Sequence, residues 1–458
     1  MFDTGPSLLT LPYVFEGLFA VAGEKLADHL TLHRLDPISR FVWPDGATFS
    51  LRGTAEETLN EVARFAPDDV ERWRRFSAKG SHIWDLTADL FLHHAPEQVL
   101  RGSRLEPMKA LRMILTPFRI GMFDTFARAV DRCIQSPRLR EMLYQYATYS
   151  GASPFKAPAT LSVIPHAEQH FGGWYPRGGM YAIAEALVKL ATKVGVEIRT
   201  SCDVRRILVE RAGKRRRVRG VELTGGMTIE ADTVIANSDV VYTYRQLIEP
   251  EHRAHYPDTK LDRLEPGGSG MVLLLGVEGT YPQLAHHTKL MPADYRDDLR
   301  AMFDTHQLPS DPCIYVCATT RTDPTQAPNG CENLFILASA PAIDGSLDWK
   351  EAGPRYRDQL IASLERRGLT DLRQRIVVER CITPVDLRQL YNANAGSIYG
   401  IGSNSRKTAF LRPPNRDRDV GGLFFCGGAT HPGGGLPLVA LSGKIVSELV
   451  LGENEIEG

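Results

Sequence analysis

The stretch Gly422-Leu423-Phe424-Phe425-Cys426-Gly427-Gly428-Ala429-Thr430-His431-Pro432-Gly433-Gly434-Gly435-Leu436-Pro437-Leu438, running on to Leu451, constrains the fold more than any other part of the chain. It reads as strand, glycine loop, helix. The strand is apolar, the glycines admit close approach of a ligand to the backbone, and Leu436-Pro437 starts a helix with Val439, Ile445, Val446, Leu449 and Val450 on its apolar face. A helix start presents unpaired N–H donors and a positive dipole end to an anionic or electron-rich ligand. A purely structural strand-to-helix turn shares the outline, but here five glycines and two prolines crowd around one histidine, and that density favours a ligand.

The texture upstream agrees with an α/β chain. After Tyr175 come Gly178-Gly179, a helix carrying Met180, Ile183, Leu187 and Leu190, and then Val196-Glu197-Ile198 as an expected strand. Val204 to Val209 and Val218 to Leu223 flank a basic turn at 213–217, read as a solvated hairpin tip, and 233–236 read as a buried strand. Residues 32–52 predict a hairpin around Pro44-Asp45-Gly46. Residues 54–149 read as mostly helical, with a capping box at Thr54 to Glu57 and openers at Pro67 and Pro137. Between 250 and 410, strands at 271–277 and 376–382 alternate with helices at 354–366 and 384–390.

Charge and cysteine usage narrow the function classes. Fifty-four Lys and Arg against 55 Asp and Glu leave no global basic field, so nucleic acid is not the expected partner. Seven scattered cysteines do not make a disulfide framework, which points to a reducing cytosol. No apolar run approaches the ~20 residues of a membrane-spanning helix. The segment 101–140 is the local exception, with nine Arg and Lys against three acids and interleaved Leu, Ile, Met and Phe. That is the composition of an interfacial helix on anionic lipid, and equally of an ordinary amphipathic helix with a solvated face.

Four stretches together resemble the bacterial carotenoid desaturases, flavin-dependent relatives of phytoene desaturase and, more distantly, of the amine oxidases. They are Phe2-Asp3-Thr4-Gly5-Pro6-Ser7 through Phe19, Trp174-Tyr175-Pro176-Arg177-Gly178-Gly179-Met180, Thr200 to Val209 with Ala231 to Asn237, and the Thr430-His431-Pro432-Gly433 loop with its helix. Residues 152–158, 392–402 and 410–416 most resemble the subgroup acting on hydroxylated acyclic carotenoids at the 3,4 bond (methoxyneurosporene dehydrogenase). The resemblance implies an FAD/NAD(P)-binding, Rossmann-like α/β domain with a mixed β-sheet substrate domain and a helical, membrane-facing subdomain. The implied partition is 1–30, 175–245 and 415–458 for flavin, 31–53, 150–174 and 246–414 for substrate, and 54–149 for the helical part. The family's opening Gly-x-Gly-x-x-Gly unit has no match in this sequence, and a βαβ unit upstream of Met1 is the expectation.

By the same resemblance the cofactor is FAD. Gly5, Pro6, Gly427, Gly428, Gly434, Gly435, Leu436 and Pro437 would lie at the flavin, and Val204 at its adenine. The substrate is a carotenoid, the location a cytoplasmic membrane surface, and the electron acceptor a quinone or oxygen. The implied activity is desaturation by hydride transfer to FAD. An isomerase or saturase on the same fold, or a flavin-free carotenoid-binding remnant, are the alternatives. His431 is the catalytic candidate, with a loop-bracing role equally open. Glu168 and His166 read as surface or domain-interface residues. No metal site is expected: Cys313 and Cys317 read as core packing, and His286-His287 lacks partners in sequence.

Overall fold

Alternating burial of Ser39 and Phe41 in one strand and of Phe49 and Leu51 in the other drives the hairpin Ser39–Val42/Thr48–Leu51 onto a core, closed by a turn in which Gly46 takes φ +83°. In the computed structural model the described residues are 1–96, 120–213, 215–404 and 412–457. The hairpin is the edge of a seven-stranded mixed sheet. Its order is Ile376–Ile382, Ser269–Glu278, Cys331–Ala340, Ile314–Cys317, His287–Leu290, Ser39–Val42, Thr48–Leu51. Only the contact of His287–Leu290 with Ser39–Val42 is parallel.

One face of this sheet (Met271, Leu273, Leu275, Ile314, Val316, Leu334, Ile336) packs under the helix Trp349–Arg366 through Tyr356, Leu360, Ile361 and Leu364. The other face (Val272, Leu274, Cys317, Phe335, Ile382) turns towards Phe2 and Tyr315. The helix begins five residues before Pro354, the expected opener. Asp348 accepts from Lys350 N at 2.9 Å and Trp349 anchors in the core, so capping and burial set the start and the proline sits inside.

The helical region is borne out where it is described, as Ala55–Phe65, Val70–Leu92, Phe126–Cys133 and Pro137–Thr148. Thr54 Oγ1 accepts from Glu57 N at 3.2 Å, the expected cap. Most of the cationic segment at 101–140 lies outside the described residues.

A smaller parallel pair, Leu423–Phe425 with Val234–Ala236, leads into the glycine loop and the helix Leu436–Glu457. A three-stranded sheet, Val204–Ala212, Arg215–Leu223 and Thr228–Glu230, joins it through Val218 N to Gly421 O at 3.0 Å. Two expectations are corrected here. Arg215 to Arg217 lie in a strand paired with Glu210, Arg211 and Ala212, because the turn tightens at Gly213 (φ +65°). Residues 196–198 form no strand: Val196 and Ile198 are 51% and 48% exposed, and no strand among the described residues lies beside them to complete a ladder.

Candidate functional site

The glycine loop is a fold-back whose close approaches require glycine. Cys426 N bonds Ala236 O at 3.0 Å, continuing the parallel pair, and Gly427 then turns with φ +103°. A Cβ there would lie 2.7 Å from Asn237 Nδ2. A Cβ on Gly428 would meet Gly434 Cα at 3.4 Å, so the two arms of the loop touch. Gly434 faces the Tyr399 ring, 3.1 Å from its would-be Cβ, whereas Gly435 has φ +117° and open space. Leu436 and Pro437 start the helix, and Val439 N returns to Gly435 O at 2.9 Å. The helix's first turn carries no acid to compete for its positive end.

Buried polar side chains pin the loop from below. Asn415 Nδ2 donates to Phe425 O (3.1 Å), His431 O (2.9 Å) and Ser442 Oγ (3.2 Å). Thr430 Oγ1 donates to Pro413 O at 2.6 Å. His431 is buried, its Nε2–H donates to His94 O at 3.1 Å, and its ring stands edge-on to Phe91 at 4.8 Å. Burial holds its pKa down at about 4. Its Nδ1 is buried without a hydrogen-bond partner.

Arg412 is the residue that sequence reading missed. It is 7% exposed, donates to Gly428 O at 3.1 Å and to Ser403 Oγ at 3.2 Å, and has no carboxylate partner among the described residues. Burial pushes its pKa down to about 10. A desolvated guanidinium without a counter-charge, beside an acid-free helix start and a glycine that leaves open space, is a site for an anionic or electron-rich planar group. Asp3 marks the second wall. Its carboxylate accepts from Tyr175 Oη (2.7 Å) and Met180 N (2.8 Å), and a Cβ on Gly179 would come within 3.0 Å of it. Burial raises its pKa. Gly5 and Pro6 follow on an exposed strip with open space at Gly5, and Ser7 Oγ meets Tyr315 Oη at 2.6 Å. Val204 stands apart, opening the three-stranded sheet opposite Leu223, and no hydrogen bond among the described residues ties it to the loop.

Tyr399 lies between the loop and a turn: against Gly434 on one side, it has its Cβ 3.3 Å from the would-be Cβ of Gly151 on the other. Beyond it lies a buried polar stripe. Lys289 Nζ donates to Tyr149 Oη at 2.8 Å and sits 5.0 Å from the Phe41 ring centre, and Tyr146 Oη donates to Glu168 Oε1 at 2.7 Å. Burial pushes Lys289 down and Glu168 up, each towards its neutral form. Glu168 is thus a buried member of this stripe; its neighbour His166 stacks on His170 instead, rings 5.4 Å apart. The absence of partners expected for His286-His287 is corrected: both rings come together with Cys317. Nothing in sequence spacing could show it, because the pairing of His287 with Cys317 is a cross-strand register.

A family model described as flavin containing amine oxidoreductase matches residues 1–451. The 4,4'-diapolycopene oxygenase of Methylomonas sp is 36% identical over 454 residues, covering 99% of this chain and 89% of that protein. The 4,4'-diaponeurosporene oxygenase of Staphylococcus aureus (strain USA300) is also 36% identical over 454 residues, covering 98% and 88%. Among solved structures, an engineered putrescine oxidase superposes with a TM-score of 0.59 at 13% identity, over 100% of this chain and 88% of that one. Cyclohexylamine oxidase from Brevibacterium oxydans gives 0.56 at 13%, over 99% and 88%. These two show the shared fold.

Proposed function

The chain belongs to the flavin-containing amine oxidoreductase family, with FAD as its cofactor, and from that premise we propose that it oxidises an acyclic carotenoid at a terminal carbon. The observation that carries the substrate class is a 36% likeness running through 98–99% of the chain to two carotenoid oxygenases, rather than through one nucleotide-binding segment.

When bound, FAD supplies a two-electron acceptor, which a polyene without heteroatoms requires for C–H oxidation. The Gly434 to Pro437 helix start and Arg412 would hold the flavin ring and favour the negative charge it gains on reduction, Gly5 and Pro6 would flank it, and Val204 would approach the adenine. Tyr399 and Tyr149 wall the space between loop and sheet. The apolar sheet face of Val272, Leu274 and Phe335 excludes water from the polyene. Lys289 with Tyr149, and Glu168 with Tyr146, hold exchangeable protons at named oxygens within that dry space. His431 braces the loop through the His94 carbonyl.

A second reading is desaturation of a hydroxylated carotenoid at its 3,4 bond. Its support is that the stretch 410–416, which resembles that subgroup, supplies Arg412 and Asn415 to the glycine loop. Attachment to the cytoplasmic face of a membrane, with quinone or oxygen reoxidising the cofactor, belongs to both readings; no helix among the described residues is long and apolar enough to cross a membrane. The test is to supply FAD and 4,4'-diaponeurosporene and weigh the product. One oxygen gained with two hydrogens lost, a methyl become an aldehyde, is the expected outcome. Two hydrogens lost with no oxygen gained selects desaturation. Unchanged 4,4'-diaponeurosporene with flavin bound and an oxidant present overturns the first reading, and a hydroxylated acyclic carotenoid left unchanged under the same conditions overturns the second.

A further inference from the structure

The sheet register places three buried metal-ligating side chains together. His287 and Cys317 are direct partners across the antiparallel strands His287–Leu290 and Ile314–Cys317, so their side chains rise from the same face. That is the face away from the helix Trp349–Arg366, since the alternate residues Ile314 and Val316 lie in the core beneath it. His286 precedes the strand, is held by Ala318 N to its carbonyl at 2.8 Å, and stands 4.4 Å from His287 between ring centres. One ligand atom from each of His286, His287 and Cys317 lies within 4.8 Å of the others. Their exposures are 5%, 1% and 0%.

The hydrogen bonds around them are those of a prepared site. His286 Nδ1 is held by Thr322 Oγ1 at 2.6 Å, and His287 Nδ1 by Tyr315 Oη at 2.6 Å. Tyr315 is fixed in turn by Ser7 Oγ at 2.6 Å. Both Nε2 atoms are buried with no hydrogen-bond partner. Two such orphans cost about 1–3 kcal/mol each, a cost that no hydrogen bond among the described residues offsets, and they belong to the two rings that come together with a buried thiol. An outer oxygen on one imidazole nitrogen, orienting the ring and leaving the other free, is the usual support of a metal-ligating histidine.

We propose that His286, His287 and Cys317 bind one zinc ion through one ring nitrogen each and the thiolate, with the fourth tetrahedral position open to water or substrate. Binding replaces the thiol S–H by S–Zn and releases one proton to solvent. Zinc bonds of roughly 2.0–2.3 Å put tetrahedral ligand atoms about 3.3–3.8 Å apart, so ligand atoms that lie within 4.8 Å of one another need to close by no more than about 1.5 Å on binding. The site stands independently of the substrate reading, because it is tested without turnover.

The full chain, stripped with a chelator and passed through gel filtration after equilibration with zinc, should retain one equivalent by elemental analysis. Its cobalt form should show a sulfur-to-cobalt charge-transfer band and the intense visible bands of tetrahedral cobalt. Cys317→Ser, checked for fold by circular dichroism, should lose the charge-transfer band, and His287→Gln should lose zinc retention. Thr322→Val should keep the ligands and weaken affinity about ten-fold or more. A folded wild type that retains under about a tenth of an equivalent, or a charge-transfer band that survives in Cys317→Ser, overturns the proposal.

Discussion

Arg412 shows how a single buried charge can declare a ligand. Its guanidinium is desolvated and, among the described residues, bonds a carbonyl and a hydroxyl and no carboxylate. Arg412→Met should therefore leave the fold as stable or more so, while flavin retention falls about ten-fold or more, the loss of a charge-assisted hydrogen bond. Flavin absorbance after gel filtration checks this, alongside the urea midpoint. His431 makes a different prediction. Its folded pKa of about 4 lies below the free value of 6.5, so the unfolded chain binds the extra proton. The contribution is complete above pH 6.5 and is lost as the pH falls towards 4, an effect on the order of 3 kcal/mol. His431→Asn should flatten the urea midpoint between those values, and an unchanged slope would count against the brace. The sequence showed His431 because it sits inside the glycine run. It hid Arg412, which lies sixteen residues before Gly428 in a proline-rich loop and reaches it only through the fold.

Elements whose partners are local were legible; elements whose partners are distant were not. The hairpin at 39–51, the Thr54 cap and the strand, loop and helix at 423–457 each carry their own pattern of burial or turn chemistry. Residues 196–198 carry a strand composition too, yet a strand exists only with a neighbour, and these residues remain exposed. The entry to the Leu423–Phe425 strand is tighter than sequence suggests. Gly422 has φ +75°, and a Cβ on it would lie 2.4 Å from Asp232 O and 2.9 Å from Val218 Cγ2. Gly422→Ala should cost about 2–4 kcal/mol, since both backbone strain and overpacking arise where the two sheets join. A denaturant titration of the variant measures it, with Gly443→Ala as the control at a site with open space.

At the scale of the molecule, Tyr399 brings the glycine loop, Gly151 and Tyr149 of the buried polar stripe near one another, a closeness no local pattern encodes. The large sheet is well covered on the helix side and its hairpin closes one edge, but the smaller pair is unequal. Residues 415–417 shield Leu423–Phe425 through an Arg416–Phe424 bridge, whereas the outer edge of Val234–Ala236 meets no strand among the described residues, with Ile235 48% exposed. An uncovered ladder beside an apolar side chain is a template on which another molecule can grow. Purified chain should thus scatter more light as its concentration rises, and Ile235→Lys should suppress that growth while leaving the circular dichroism spectrum unchanged. The three residues that pair with the strand leading into the glycine loop thus also bear on the colloidal behaviour of the protein, whose shelf life in the test tube follows from what covers them.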